Sequence, residues 1–284
     1  MVTSIVIPAH NEAATIGRLL GTLTQGASPG EFDVVVVCNG CTDSTAEIAA
    51  GFGPDVRVIE MPEPSKTAAQ RRGDDTATGF PRAYVDADVT ITADGLRRLV
   101  TALNRPPVLA CSPLRRFEES DIHPIVRWYY EVWERLPQVR SGLFGRGVIM
   151  VSEAGHHRIS GLPLLMSDDL AMSEAFSPQE RAVVEGAEVV IVPPRTVRDL
   201  VLRRIRVATG NAQAKQAGVQ SEAARTSVRD LLEMVRHEPA IAMRLPVFIA
   251  VTLGARSASR RRISRGDYTT WLRDESSRRP PPLK

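Results

Sequence analysis

Apolar and polar positions follow two alternating periods over the first hundred residues of the chain. Short runs rich in Val and Ile, such as residues 33–38 (DVVVVC), are typical of strands covered on both faces of a sheet. Segments with apolar residues at helical spacing, such as residues 12–25, separate these runs. The order predicts an α/β fold with a mainly parallel, doubly wound sheet flanked by helices. The predicted strands are 2–8, 33–38, 55–60 and 82–86, and the predicted helices are 12–25, 44–52, 66–78 and 93–103.

The remainder of the chain is less regular and becomes helical towards its end. From about residue 198 the pattern is helical, so we predict one main domain over 1–197 and a helical, basic C-terminal extension over 198–284. The polar, Pro-rich end (SSRRPPPLK, residues 276–284) is expected to be poorly ordered. Between the two regular parts the pattern predicts helices 121–136 and 168–176 and strands 147–151 and 187–192.

Charge divides the chain unevenly, although the net charge is only +3. Residues 195–284 contain 19 Lys and Arg against 8 Asp and Glu, a net charge of +11, whereas residues 1–194 contain 17 against 25, a net charge of −8. A basic extension can meet phosphates on a ligand, a membrane surface or a nucleic acid, or can simply be a solvated Arg-rich helical surface. Nucleic acid is disfavoured because no recognition module precedes the extension.

Cysteine content and the N-terminal residues point to the cytoplasm. Three cysteines, an odd number, do not form a disulfide framework. The apolar start reaches Pro-Ala-His-Asn-Glu before a signal-peptide core of adequate length has formed. We therefore predict a cytoplasmic protein.

Polar side chains follow each of the first four predicted strands. In open parallel sheets, ligands bind beyond the carboxyl ends of the strands, so these side chains are expected to converge on one edge. Helices that begin there also offer free backbone N–H groups. The segments concerned are PAHNE (8–12), CNGCTDST (38–45), PSK (64–66) and DAD (86–88).

The acid pair at the end of the fourth strand has a specific geometry if the segment is extended. Residues i and i+2 then project to one face with Cα atoms about 6.5–7 Å apart. Asp86 and Asp88 could thus share a hard divalent cation, which in turn could hold a diphosphate leaving group. The alternative is a pair of ordinary turn acids before a helix capped at Thr92.

Four segments taken together resemble the inverting family-2 glycosyltransferases of the GT-A fold, which use nucleoside-diphosphate sugars. They occur in the family's order and cover about residues 2–100. The resemblance implies a GT-A catalytic domain over 1–197 that transfers a sugar to a hydroxyl acceptor with the help of Mn²⁺ or Mg²⁺. The segments are IVIPAHNEAATIGRLL, VVVVCNGCTDSTAEIA, SKTAAQRRG and AYVDADVTI.

The resemblance also implies roles for individual residues. Asp86 and Asp88 match the family's DxD metal motif, with Asp88 the more direct ligand and Asp86 also contacting the donor. Lys66 would lie near the nucleoside or the phosphates. The nucleoside itself would be contacted by Pro8, Ala9, Asn11, Glu12, Asn39 and Asp43.

Two further features match the family outside the first hundred residues. Asp169, in Ser-Asp-Asp-Leu, matches the catalytic base, which is needed because the acceptor hydroxyl must lose a proton as it attacks; the alternative is a helix-capping acid pair. Arg203, Arg204 and Arg206 lie where the family often carries an arginine-rich segment that closes over the diphosphate, and we select Arg204. The segment lacks the family's usual Trp.

Other functions remain open at this point. The same fold could catalyse nucleotidyl transfer or retaining sugar transfer. A different class is a redox protein, since Cys38-x-x-Cys41 follows a strand and precedes a helix. The acceptor could be a saccharide, a lipid carrier or a small metabolite.

The C-terminal extension contains one apolar segment, residues 245–255 (LPVFIAVTLGA), with arginines after it. Eleven residues are too few to span a bilayer. The segment could instead lie at the inner face of a membrane with its arginines on lipid headgroups, pack on the catalytic domain, or form a homodimer contact.

Overall fold

The computed structural model describes residues 2–118, 121–163, 165–219, 221, 226–266 and 274–278. The chain forms two compact units. Unit 1 comprises Met1–Glu118, Leu143–Leu162 and Ala175–Val192. Unit 2 comprises Glu119–Gly142, Pro163–Glu174 and Pro193–Lys284. The predicted domain boundary between residues 197 and 198 stays a prediction.

Unit 1 is built on a mixed sheet whose strands, among the described residues, follow the order β3-β2-β1-β4-β7-β6-β8-β5. The first four strands along this order are parallel, as the apolar pattern predicts. β7 then pairs antiparallel with both β4 and β6. The strands are β1 (Thr3–Ala9), β2 (Phe32–Asn39), β3 (Val56–Met61), β4 (Arg82–Val85), β5 (Val89–Ile91), β6 (Ala110–Phe117), β7 (Val148–Val151) and β8 (Arg181–Ile191).

Helices cover the sheet in unit 1 and make up most of unit 2. α1, α2 and α4 contribute to the main core of unit 1, together with side chains from one face of β1 and β2 that are almost entirely buried, namely Ile5, Ile7, Val34 and Val36. The helices are α1 (Ile16–Thr24), α2 (Thr45–Ala50), α3 (Lys66–Thr76), α4 (Ala93–Leu103), α5 (Pro124–Trp133), α6 (Pro137–Ser141), α7 (Glu153–Ile159), α8 (Asp168–Glu174), α9 (Val197–Gln216), α10 (Val228–His237) and α11 (Leu245–Ile263).

The predicted elements of the first hundred residues are all present, with shifted ends. α4 has the predicted bounds, while α1 begins four residues later than predicted because residues 12–15 form a turn. β5, β6 and α7 were not predicted, and β8 begins six residues before the predicted strand 187–192. The predicted helix 121–136 is shorter and is followed by a separate helix, α6.

Unit 2 is held together by the packing of α11 against α5 and α9. The ring of Tyr129, fully buried on α5, stacks on Phe248 of α11 with centroids 5.2 Å apart. Further along, the Thr209 and Ser259 hydroxyls of α9 and α11 are hydrogen-bonded at 3.0 Å. One side of α11 is thus fixed to the rest of the unit.

The apolar segment of the extension belongs to a longer helical stretch than its sequence predicts. A 3₁₀ helix, Pro239–Arg244, leads into α11, and the stretch Pro239–Ile263 is long and apolar enough to cross a membrane by length and composition. The prediction that the apolar segment is too short to span a bilayer applies to residues 245–255 alone and is wrong for the whole stretch Pro239–Ile263. Only 17 % of its most apolar window is buried.

The expectation of a poorly ordered Pro-rich end concerns mostly residues outside the described part. Ser276–Arg278 forms a short 3₁₀ turn, and residues 279–284 lie outside the described residues.

Candidate active site

The loops after β1 and β2 are joined to each other by side-chain hydrogen bonds. Asn11 has a left-handed backbone (φ 52°), which Asn tolerates better than most residues, and its Oδ1 accepts from the Thr42 amide at 2.7 Å. Asp43 accepts from the amide of Ala13 at 3.1 Å through its Oδ2. Two of the predicted nucleoside contacts therefore also fix the shape of the loops that carry them.

Asn39 ties two strand ends and the start of a helix together from a buried position. Its side-chain amide donates to the Ala9 carbonyl at 2.8 Å, and its Oδ1 accepts from the Ser65 amide at 3.0 Å. The residue is only 3 % exposed. The structure thus gives Asn39 a positioning role at the ends of β1 and β2 and the start of α3.

Gly40 explains why the loops after β2 and β3 can approach so closely. Its φ is +61°, and a Cβ there would lie 2.9 Å from atoms of Pro64. A side chain at this position would push the two loops apart. The close approach brings the N-terminus of α3, capped by Ser65, to the same edge of the sheet.

Lys66 and Asp86 form the central contact of the candidate site. The Lys66 Nζ lies 2.8 Å from Asp86 Oδ1, and both side chains are partly exposed. An ammonium group and a carboxylate are thus presented side by side at the carboxyl ends of β3 and β4. This is the convergence of charged groups that the sequence predicts.

Asp86 and Asp88 lie in a turn, which corrects the extended geometry expected from the sequence. β4 ends at Val85, and the Val89 amide donates to the Asp86 carbonyl at 3.4 Å. Ala87 is buried, whereas Asp86 and Asp88 are half-buried. The i, i+2 spacing derived for a strand is therefore wrong for this segment.

Gly147, which was not predicted from the sequence, lies directly before β7 and supports the Asp86 turn from there. Its carbonyl accepts from the Asp86 amide at 2.8 Å, and its φ is +67°. A Cβ on Gly147 would lie 2.4 Å from Val89 Cγ1 and 3.4 Å from Asp86 Oδ2. The only signal in the sequence is the Gly-rich segment 142–147, whose spacing fits no dinucleotide motif.

Replacing Gly147 with Ala is expected to lower the free energy of unfolding by about 2–4 kcal/mol, because left-handed strain adds to overpacking against Val89. Urea denaturation of the purified chain measures this change. Gly161→Ala is the matched control, since a Cβ there would meet nothing within 4 Å. Equal stability of the two variants would contradict the close packing described for Gly147.

The other predicted donor contacts lie at the end of β1 and just beyond it. Pro8 and Ala9 are the last two residues of β1 and are buried. Glu12, 7 % exposed, accepts from the Thr15 hydroxyl at 2.9 Å, and its amide donates to Thr45 Oγ1 at 2.8 Å. Their contact with a nucleoside stays a prediction.

Asp169 and Arg204 belong to unit 2. Asp169 is the second residue of α8 and is half-buried, and its Oδ1 accepts from the Leu170 amide at 2.8 Å. The Arg204 guanidinium lies over the Tyr129 ring, 5.5 Å from its centroid. The roles of base and of diphosphate contact stay predictions.

The cysteines that suggested a redox protein have the wrong environment for that chemistry. Cys38 is buried and Cys41 partly buried, and both are free thiols. Burial, with the neighbouring Cys41 as a further cause, raises the pKa of Cys38 to about 12. Because thiolates are the reactive species in dithiol exchange and catalytic thiols have lowered pKa values, this pair is unsuited to redox turnover.

A hard cation fits the donor set of the DxD turn. Carboxylate oxygens are the ligands that Mg²⁺ and Mn²⁺ prefer. Among the described residues, no group of three or more His, Cys, Asp and Glu side chains is placed to hold a metal ion. Two carboxylates would therefore leave the other coordination positions to water and phosphate oxygens, as is common for Mg²⁺.

Comparison with known sequences matches this chain to a family model and to characterised relatives. The model of glycosyl transferase family 2 matches residues 4–154. The 4,4'-diaponeurosporenoate glycosyltransferase of Staphylococcus aureus is 36 % identical over 194 residues, which are 64 % of this chain and 48 % of that protein. Glycosyltransferase AglE of Haloferax volcanii is 31 % identical over 106 residues, 36 % of this chain and 35 % of that protein. The matches span about a third to a half of these relatives.

Solved structures with the same fold include two transferases crystallised with donors. The mannosyltransferase PcManGT from Pyrobaculum calidifontis, in complex with GDP-Man and Mn²⁺, has a TM-score of 0.63 at 20 % identity, over 93 % of this chain and 79 % of that one. Glucosyl-3-phosphoglycerate synthase from Mycobacterium tuberculosis, in complex with Mn²⁺ and UDP-Glc, has a TM-score of 0.55 at 19 % identity, over 78 % and 80 %. These likenesses confirm the predicted GT-A fold.

Proposed function

This chain belongs to glycosyl transferase family 2, and from that premise we propose that it transfers a sugar from a nucleoside diphosphate to a hydroxyl acceptor with inversion at the anomeric carbon. The observation that carries the proposal is the Lys66–Asp86 pair at the carboxyl edge of the sheet. It presents a cation for phosphate and a carboxylate for a metal ion at the place where α/β sheets bind ligands. Structural neighbours that bind GDP-Man or UDP-Glc with Mn²⁺ support the same donor class.

Asp88 and Asp86 would hold Mn²⁺ or Mg²⁺ in this proposal. When bound, such an ion neutralises the charge that develops on the departing diphosphate. Lys66 adds a fixed positive charge beside Asp86. Asn11, Asn39 and the other residues at the ends of β1 and β2 would shape the nucleoside pocket, and Arg204 would contact the diphosphate.

Asp169 would act as the general base. Its carboxylate accepts the proton of the acceptor hydroxyl while the hydroxyl oxygen bonds to the anomeric carbon. The bond from that carbon to the diphosphate oxygen breaks, and the electron pair leaves with the diphosphate. The Leu170 amide, 2.8 Å from Asp169 Oδ1, would orient the carboxylate for this transfer.

The acceptor class and the cellular site are further parts of the proposal. A saccharide, a lipid carrier or a small metabolite could each offer the hydroxyl group, and a second copy of the chain could bind through the extension. Three free thiols, Cys38, Cys41 and Cys111, suit a reducing compartment, so we place the protein in the cytoplasm, with peripheral contact at the inner face of the membrane as the alternative.

A donor panel tests the reaction class. The purified full chain is incubated with UDP- and GDP-sugars, Mn²⁺ and a set of hydroxyl acceptors, and the products are separated and identified. We expect release of a nucleoside diphosphate, a product of inverted anomeric configuration by NMR, and loss of turnover with a chelator. Release of a sugar 1-phosphate, with the nucleoside monophosphate transferred to the acceptor, would instead indicate nucleotidyl transfer, and a retained anomer would exclude inversion.

A double cysteine variant tests the redox alternative. The double variant Cys38→Ala/Cys41→Ala removes both thiols of the Cys-x-x-Cys pair. Sugar transfer within about threefold of the wild type is expected, since neither thiol takes part in the proposed chemistry. Dithiol–disulfide exchange by the wild type, lost in this variant, would contradict the assignment.

A further inference from the structure

The outer face of α11 is apolar over the N-terminal half of the helix, which is unusual for a helix face that meets solvent. Its inner face is buried at Phe248, Ala255 and Ser259, where it packs within unit 2. The opposite face exposes Ile249 by 40 % and Leu253 by 57 %. Met243, 82 % exposed in the preceding 3₁₀ helix, and the exposed Pro246, Ala250 and Gly254 continue this face.

Positive charge adjoins the apolar face, and no negative charge does so within the same segment. Residues 239–266 contain six arginines and no Asp or Glu. Arg256, Arg260 and Arg261, on the C-terminal half of α11, are exposed. A helix that combines exposed aliphatic side chains with arginines has the composition of helices that lie in the interface of an anionic bilayer.

We propose that this surface, formed by Met243, Pro246, Ile249, Ala250 and Leu253 with Arg256, Arg260 and Arg261, docks on an anionic lipid bilayer with α11 parallel to the membrane plane. The aliphatic side chains enter the boundary between headgroups and acyl chains. The arginines contact lipid phosphates at the end of the apolar surface, where their long side chains reach the headgroups. The proposal is independent of the transfer reaction.

The contacts of α11 favour this orientation over a membrane span. Phe248 stacks on Tyr129, and Ser259 is hydrogen-bonded to Thr209, so one side of the helix is covered by α5 and α9 along about three turns. A spanning helix would have to leave these partners. Pairing with a second copy through this face would bring two arginine clusters together without acidic groups from the same segment.

Sedimentation with lipid vesicles tests the proposal. The full chain is mixed with vesicles of phosphatidylcholine alone or with 30 % phosphatidylglycerol at about 0.1 M salt. Binding to the anionic vesicles is expected, at least about tenfold stronger than to neutral ones and weakened by added salt. The double variant Ile249→Ser/Leu253→Ser is expected to bind at least about tenfold more weakly.

Variants that lose the same number of positive charges distinguish binding through this surface from general electrostatic attraction between the chain and the bilayer. Arg260→Gln/Arg261→Gln removes two positive charges from the surface, whereas Arg98→Gln/Arg105→Gln removes two exposed arginines from unit 1. The first pair is expected to lose at least about fivefold in anionic-vesicle binding and the second less than twofold. Equal losses would overturn the proposal.

Leu253→Trp keeps this position apolar and introduces a fluorophore that reports how deeply α11 enters the bilayer. Its additional fluorescence, measured against the wild type, is expected to be quenched by lipids brominated on their acyl chains. No quenching, or no vesicle binding by the wild type, would overturn the proposal. Resistance to alkaline extraction would show a span instead, and a concentration-dependent dimer lost in Ile249→Ser/Leu253→Ser would show a second copy as the occupant; either result overturns it.

Discussion

Asp88→Asn is expected to lower kcat/KM for sugar transfer by about three orders of magnitude, equivalent to about 4 kcal/mol of transition-state stabilisation. The substitution keeps the size of the side chain but removes the charge that would hold the divalent ion. Without the ion, the charge on the departing diphosphate is left to Lys66 and nearby donors. Steady-state kinetics at saturating Mn²⁺, with the donor identified by the panel, measure the effect.

The control for Asp88→Asn is Asp55→Asn, an exposed acid just before β3 and thus at the opposite end of the parallel strands. It changes the net charge equally and should leave kcat/KM within twofold of the wild type. Mn²⁺ binding, followed by calorimetry or electron paramagnetic resonance, gives a reading that is independent of turnover. Wild-type activity in Asp88→Asn, or activity insensitive to a chelator, would remove the metal assignment.

Asp86 has Lys66 as a close partner. In the proposed reaction Asp86 would both hold the metal ion and orient the Lys66 ammonium, which lies 2.8 Å from its Oδ1. Loss of the Asp86 charge would therefore alter two groups at once. The pair also gives a reason for placing an acid directly after β4, whose own residues are all buried.

The first half of unit 1 could be predicted because three of its strands, β1, β2 and β4, bury nearly every side chain. A continuous run of Val in β2 has no exposed face to accommodate polar residues, so the pattern itself identifies the strand. β6 was not predicted because its residues do not form a continuous apolar run. Its sequence ACSPLRRF contains a proline and two arginines, and its pairing with β8 shifts register between Pro113 and Leu114. Pro is tolerated at such an irregularity because no regular ladder bond is required there.

The convergence of polar residues at one edge of the sheet could be predicted, but the contacts that support these residues could not. Polar residues just after four strands placed the edge correctly, since parallel strands bring their carboxyl ends together. The role of Gly147 depends on β7, an antiparallel strand some sixty residues further along, and no local pattern reveals that pairing. The Asp86–Asp88 turn likewise follows from β4 ending at Val85, one residue before the predicted end.

The family resemblance selects Asn39 for the site but does not give the role that its contacts in the structure indicate. The family pattern places it at the nucleoside, whereas its amide group holds Ala9 and Ser65 from a buried position. An effect of Asn39 on donor binding would thus be transmitted through the loops it holds. Gly40 and Pro64 reinforce the same arrangement by close packing.

Asp169→Asn is expected to lower kcat for transfer by about 10²–10⁴-fold, the range that a general base contributes. The amide keeps the size of the side chain but cannot accept the proton of the acceptor hydroxyl. Donor affinity, measured by calorimetry with the nucleotide-sugar, should change less than twofold because the proposed role concerns the acceptor. The acid-side fall of kcat/KM with pH, where a base becomes protonated, should disappear in the variant.

Asp168→Asn provides a neighbouring control on the same first turn of α8. Both acids can interact favourably with the helix N-terminus, so a purely capping role would make the two substitutions similar in stability and in rate. A base at Asp169 instead predicts that Asp168→Asn retains transfer within about tenfold, while Asp169→Asn loses it with little change in the free energy of unfolding. Full transfer by Asp169→Asn, or an equal loss in both variants, would leave the acid pair as a capping feature and require another base.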